Sequence, residues 1–279
     1  MKLGNLEFHI LTDGELRLDG GAMFGVVPKL LWEKRMPADE RNRILLGMNC
    51  LLIRAGAELI LVETGVGDKW NARMKDMYGV GVGERLPEQL AAHGVKPADI
   101  TMVVNTHLHF DHCGWNTHVL DGRAMPFFPN ATYVVQRGEL EHALNPTERD
   151  RASYLAENFQ AVSDAGKWRL LDGDAIIAPG VEVARAPGHN ADMQCVLLRS
   201  GGETAILFAD LVPTTAHLAA PWIMSYDLYP LTTLENKKKW IPRAAEEGWL
   251  ALFGHDPQIS AARLREEKGR YMAEPVRMD

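Results

Sequence analysis

The chain has 279 residues, 46% of them hydrophobic, enough to bury a large core within one α/β unit. A formal charge of −7 with no long basic run speaks against a nucleic-acid partner, which would need a cationic stripe. Residues 1–9 lack the apolar stretch of a signal peptide, no run approaches a membrane span, and Cys50, Cys113 and Cys195 are too few for a disulfide framework; a cytoplasmic protein without a membrane partner is expected.

In chain order, residues 6–11 read as an opening strand that ends at Asp13-Gly14. A long connection carrying Met23, Phe24, Trp32 and Met36 follows, apolar enough to pack. Residues 48–53 and 58–62 form a hairpin across Arg54-Ala55-Gly56-Ala57. The glycine-rich run 79–83 lacks the Lys-Ser/Thr of a phosphate loop and is expected as a flexible loop near a site mouth. A short helix spans 87–94, stopped by Gly94. After the apolar run 101–104, helices are expected over 138–145 and 147–162, the second with Tyr154, Leu155, Phe159 and Val162 on one face. Strand-like runs then cover 181–183, 204–209 and 249–253. Two helices complete the pattern. One spans 233–247, disturbed by Pro242 and showing Lys237-Lys238-Lys239 on a solvated face; the other runs from Asp256-Pro257 through 263–267. No repeat or low-complexity linker divides the chain, so one domain over 1–279 is expected.

The chemistry concentrates at strand ends. Directly after 101–104 comes Thr106-His107-Leu108-His109-Phe110-Asp111-His112, with four metal-competent side chains around one point. Imidazole suits zinc, iron and similar ions, and carboxylate can join the same shell. Three later strands also end in such a group: His189 in Ala186-Pro187-Gly188-His189-Asn190, Asp210 after Phe208-Ala209, and His255 after Gly254. Cys113 abuts the cluster, but with Asp111 and His112 beside it a sulfur ligand is not required. No G-x-S-x-G occurs, which argues against serine catalysis.

This set resembles the metallo-β-lactamase-fold hydrolases, whose hallmark is H-x-H-x-D-H, then a distant His, an Asp and a final His. His107, His109, Asp111, His112, His189, Asp210 and His255 match it in order over nearly the whole chain. Within that superfamily, residues 110–117, 210–217 and 222–230 are similar to N-acyl-homoserine-lactone lactonases and methyl parathion hydrolase-like enzymes. The resemblance implies a four-layer αββα sandwich of mixed α and β structure and two divalent ions, zinc first, with iron, cobalt or manganese as alternatives. It implies one ion on His107, His109 and His189, a second on Asp111, His112 and His255, and Asp210 bridging both. A metal-bridging hydroxide would attack a carbonyl or phosphoryl centre, and Asp111 would pass a proton to the leaving oxygen.

The activity so implied is that of a lactonase, the chemistry of quorum quenching, with a phosphotriesterase or aryl esterase, or an iron-dependent sulfur dioxygenase-like redox enzyme, as alternatives. Two departures from the family pattern stand out. The usual Asp of a D-T-G turn is Glu63 here, expected to anchor the far nitrogen of a ligating histidine. The Tyr that several lactonases carry three residues after the bridging Asp is Pro213, so carbonyl polarisation would fall to another phenol such as Tyr226. Apolar side chains on loops, with Met23, Phe24, Trp222 and Tyr226 foremost, are expected to receive a small, neutral, partly apolar substrate. Oligomeric state is open, and a homodimer is compatible with the chain.

Overall fold

The computed structural model describes residues 1–277; the last two residues of the expected 1–279 domain lie outside the described residues. The first half begins with β1 (Lys2–Leu3), β2 (Leu6–Asp19), β3 (Arg43–Ala55), β4 (Glu58–Val62) and β5 (Met102–Val104). A separate ribbon, β6 (Thr117–Leu120) with β7 (Arg123–Pro126), precedes β8 (Thr132–Gln136) and β9 (Trp168–Leu171). These strands form a seven-stranded sheet in the order β1-β2-β3-β4-β5-β8-β9. The second sheet takes β10 (Ala175–Ala178), β11 (Val181–Arg185), β12 (Gln194–Ser200), β13 (Glu203–Leu207), β14 (Leu250–Leu252), β15 (Ala261–Glu267) and β16 (Arg270–Pro275) in chain order. Pairing is antiparallel except from β4 through β9 and between β13 and β14.

The period-2 alternation of side chains splits each sheet into two apolar faces. Phe8, Ile53, Ile60, Val62, Val104 and Val134 of the first sheet meet Val183, Val196, Leu198, Leu207 and Leu252 of the second in one buried layer. The opposite faces are covered by helices. On the second sheet, Cys195, Leu197, Ile206 and Ala251 pack against Trp240, Ile241 and Ala244 of the long helix over Pro230–Glu246. On the first, Leu61, Val103 and Tyr133 pack against Leu86 and Leu90 of the helix Leu86–Ala92 and Val162 of the helix Gln160–Asp164. The layers are therefore αββα, as expected. In chain order the helices are α1 (Gly20–Phe24), α2 (Lys29–Trp32), α3 (Ala72–Tyr78), α4 (Leu86–Ala92), α5 (Arg137–Leu144), α6 (Gln160–Asp164) and α7 (Pro230–Glu246). None of them is long and apolar enough to cross a membrane.

Several elements differ from the sequence-based expectation. The opening strand does not stop at Asp13-Gly14 but passes through a bulge between Thr12 and Glu15 and continues to Asp19 against a lengthened β3. The carboxylate of Asp13 explains why that kink persists. Fully buried, it accepts from the backbone N–H of Val66, Gly67 and Leu86 and from Trp115 Nε1, and pairs with Arg85 at 3.0 Å. The glycine run 79–83 lies against this bulge, where Glu15 N–H donates to Val82 O.

The helix expected over 147–162 is mostly turn, with only Gln160–Asp164 in α-helix. Asp150 breaks it: Thr147 Oγ1 donates to its carboxylate, Ser153 N–H to its carbonyl, and Phe110 N–H then takes Ser153 O. The final expected helix, through 263–267, is strand β15, hydrogen-bonded on both sides, because Ala261, Ala262 and Leu264 are buried against the sheet while Arg265 reaches Glu274 at 2.9 Å. α7 continues through Pro242, and Lys237 is not on a solvated face but buried.

Candidate metal centre

The cluster lies at one end of the sandwich, where strands of both sheets run out. The turn after β5 carries His107, His109, Asp111 and His112; the loops after β11, β13 and β14 carry His189, Asp210 and His255. Two glycines are required by close approach. A Cβ on Gly114 would meet Val66 C at 2.1 Å, so only glycine lets the 107–114 turn press against the 64–67 turn. Gly188 has φ +147° and a Cβ there would meet Thr233 Oγ1 at 2.4 Å, which seats the His189 loop on α7.

Seven side chains converge. Ligand atoms of His107, His109 and His189 lie within 4.8 Å of one another, as do those of Asp111, His112 and His255, and those of His107, His112 and Asp210. Asp210 stands between the outer groups. One oxygen is 3.3 Å from His112 Nε2 and 3.1 Å from His255 Nε2, while the other is 3.3 Å from His189 Nε2.

Four imidazoles are fixed from behind. His107 Nδ1 meets Thr106 Oγ1 at 3.0 Å, His189 Nδ1 meets Asp227 Oδ1 at 2.9 Å, and His255 Nδ1 donates to Gly47 O at 3.1 Å. His112 Nδ1 lies 3.4 Å from Glu63 Oε1, which also accepts Thr106 N–H. Glu63, expected to anchor a ligating histidine, thus lies beside His112 at ion-pair distance. His109 is held by an edge contact with Tyr154, 4.7 Å between centroids.

This donor set suits cations. A carbonyl can only accept, so His255 Nδ1 carries the proton and its Nε2 presents a lone pair. His112 Nε2 stands 3.0 Å from it, so the two imidazoles turn their Nε2 atoms to the same point. His107 Nε2 and Asp210 Oδ1, both buried, have no hydrogen-bond partner among the described residues. Orphaned buried acceptors converging on one point are what a metal site leaves when described from its protein atoms.

The electrostatics fit the same picture. Burial, helped by neighbouring imidazoles, holds His107 and His109 well below the usual histidine range. Burial opposes charge on His112 too, but Asp210, Asp111 and Glu63 outweigh it and raise its pKa. Burial works against ionisation of Asp210, and His112, His255 and His189 overcome that, keeping it a carboxylate.

The 107–112 turn is backed by Glu139, whose Oε1 accepts from Leu108 N–H at 2.7 Å and Tyr154 OH at 3.1 Å; burial pushes it up to about 7. Cys113 is turned away, with its thiol donating to Leu108 O and His109 O.

A cavity of about 170 Å³ opens onto His109, Asp111, His189, Asp210 and His255. Of the expected substrate wall, Met23 and Tyr226 line it. Phe24 and Trp222 do not: Phe24 is fully buried between Trp32 and His217, and Trp222 packs edge-on against Phe24. Their apolarity serves packing behind Met23. Sequence reasoning missed Tyr78, at the end of α3, and Arg149, Ser153 and Asp227, in irregular segments, because nothing in the local pattern shows that these positions turn toward the cluster. A larger groove of about 500 Å³, bordered by Arg17 and Leu45, includes none of the seven converging side chains. Arg17 and Leu45 point away from the neighbouring Leu18 and Leu46, which line the site cavity.

A family profile for the Metallo-beta-lactamase superfamily matches residues 44–255, a span that contains all seven converging side chains. The chain belongs to the metallo-beta-lactamase superfamily. Among its members, the N-acyl homoserine lactonase AttM of Rhizobium radiobacter is 29% identical over 181 residues, 62% of this chain and 65% of that protein. The chain thus spans just under two thirds of the AttM length it matches. An N-acyl homoserine lactonase of Bacillus cereus is 25% identical over 82% of this chain and 86% of its own. In structure, a probable metal-dependent hydrolase from Staphylococcus aureus superposes over the full length of both chains with a TM-score of 0.90 at 30% identity. The dizinc quorum-quenching lactonase AidC, solved with its product, superposes at 0.84 and 22% identity over all of this chain and 97% of its own, a likeness of fold. The superfamily hydrolase fold and a His/Asp cluster able to bind divalent metal are thereby established.

Proposed function

We propose that the chain is a dinuclear metal-dependent hydrolase that opens a lactone or cleaves a related ester. The observation that carries this reading is the sorting of donor atoms about Asp210, whose two oxygens face opposite groups of histidines. In this reading His107, His109 and His189 would hold one ion and Asp111, His112 and His255 the other, with Asp210 shared between them. Nitrogen and carboxylate donors in these proportions suit zinc, with iron, cobalt and manganese as alternatives. When bound, the ions supply Lewis acidity and bring the pKa of water from near 16 to about 7, so that a nucleophile exists at neutral pH.

The chain's own residues do the rest. Asp111 reaches the cavity while keeping one face toward His255 at 3.7 Å, so it is placed to carry a proton to the leaving oxygen. Leu18, Met23, Leu46 and Met224 exclude water from the reacting ester and receive its apolar part. The lactonase relatives support a neutral, partly apolar reacting end. Protein purified without chelator should contain two metal ions per chain and hydrolyse lactones, with aryl esters or phosphotriesters as weaker substrates. A preparation that hydrolyses none of these but consumes oxygen with a sulfur substrate would refute the proposal.

A further inference from the structure

Among the described residues Arg149 is the one Lys or Arg side chain on the cavity wall, and its position is built rather than incidental. The turn that carries it is fastened at both ends. Asp150 takes Thr147 Oγ1 at 2.6 Å and pairs with His142, while Phe110 N–H donates to Ser153 O at 2.8 Å, between the cluster residues His109 and Asp111. From this anchored turn a guanidinium nitrogen of Arg149 donates to Ser225 O at 2.8 Å, and Ser225 N–H donates to Ala22 O at 2.8 Å. These bonds tie together the segments of Arg149, Ser225 and Ala22, which adjoin the cavity residues Met23, Met224 and Tyr226. Only one donor of the guanidinium is used this way. Among the described residues no carboxylate lies within ion-pair distance of Arg149, although most other arginines with a fixed bond have one.

A cavity of 170 Å³ has room for about six water-sized groups. The cavity is open to solvent, with Arg149 exposed on its wall and His109, His189, Asp210 and His255 buried, so the part of a substrate remote from the cluster lies on the Arg149 side. We propose that the natural substrate is a lactone or ester bearing a carboxylate on the part remote from the reacting carbonyl, and that Arg149 is the residue that selects it. The inference rests on the ester-hydrolase reading above and adds the substrate class. A free carboxylate is itself a good metal ligand, so an unguided anionic substrate would bind backwards, with its acid at the cluster. A cation at the mouth reverses that preference and leaves the neutral ester end for Asp111 and the metals. Charge-assisted pairs with arginine are geometrically selective and roughly twice as strong as neutral hydrogen bonds.

The test uses the metal-loaded full chain and two γ-lactams, which fill the ring position but resist hydrolysis, one tailed with a carboxylate and one with the corresponding methyl ester. Calorimetric titration should show the carboxylate lactam binding roughly 10- to 100-fold more tightly. Arg149→Met should abolish the preference, lowering affinity for the carboxylate lactam far more than for the methyl ester lactam; Arg149→Lys should retain part of the preference. Equal affinity for both lactams in the wild type, no binding of either, or a preference that survives Arg149→Met would overturn the inference. Matching lactones separate this from the wider reading. Hydrolysis of both at equal kcat/KM sinks the role of Arg149 and keeps the lactonase, whereas turnover of neither sinks the lactonase while the titration still reports on Arg149.

Discussion

At the scale of single residues, the seven converging side chains are not equivalent. Asp210 presents an oxygen to each half of the cluster, whereas His255 faces one half. Asp210→Ala should therefore release metal from both positions and lower turnover by at least about 100-fold, while His255→Ala keeps one ion per chain. Elemental analysis of the two variants decides; two ions retained in Asp210→Ala would contradict the bridging role. Pro213 cannot donate a hydrogen bond from its ring, and its carbonyl is taken by His255 N–H. Tyr78 and Tyr226 are both phenols on the cavity wall; Tyr226 is the one expected to polarise a carbonyl, with burial and the nearby Tyr78 raising its pKa so that it stays protonated. Tyr226→Phe should reduce kcat by roughly 100-fold with KM little changed. A fall in affinity with kcat intact would instead make it a binding group.

At the scale of elements, α7 acts as a bracket for two loops. Thr233 Oγ1 donates to Asp227, which holds His189, and Asn236 donates to Pro187 O. One turn on, the buried ammonium of Lys237 donates to Ala219 O and Trp222 O at 2.8 and 2.7 Å, pinning the loop ahead of Met224 and Tyr226. Burial, only partly offset by Asp227, lowers the pKa of Lys237 from 10.5 to about 7. Between those values the unfolded chain binds the extra proton, so the contribution of Lys237 to stability rises with pH across that window and is flat below it. Urea midpoints at pH 7 and pH 9.5 should move in favour of the wild type relative to Lys237→Met as pH rises, by up to roughly 3 kcal/mol. A pH-independent difference would mean that Lys237 is buried as a charged group throughout. The same helix shows why the run Lys237-Lys238-Lys239 misleads when read by composition. Charge pattern describes the two exposed lysines, and only the position of the 219–222 loop makes the first a buried donor.

At the scale of the whole molecule, both sheets supply the cluster, so metal binding should be folding free energy. Removal of metal by chelation should lower Tm by at least about 10 °C, read by calorimetry with and without added metal. An unchanged Tm would show that the imidazoles satisfy one another without ions. The four strand ends that build this centre were legible in the sequence because each couples a short apolar run to a His or Asp at its end. Legibility failed where tertiary partners outweigh local pattern. Residues 147–162 have helical spacing, but Asp150 and Ser153 are tied to Thr147 and the cluster turn, and 261–267 look helical by charge until β14 and β16 pair with them. Tyr78 and Arg149 join the cavity from segments far apart in sequence, which no local reading connects.

The two Nε2 atoms that meet at 3.0 Å belong to His112 and His255, separated by 143 positions in the chain. During synthesis the first four donors leave the ribosome with the first sheet, long before β14 exists to carry the last. A nascent or truncated chain can gather His107, His109, Asp111 and His112, but it lacks the second sheet's share of either metal group. On the proposed dinuclear reading, metal capture at full strength would be a late event that reads out completion of the second sheet, and an unfinished chain would lack the ions that lock its halves together.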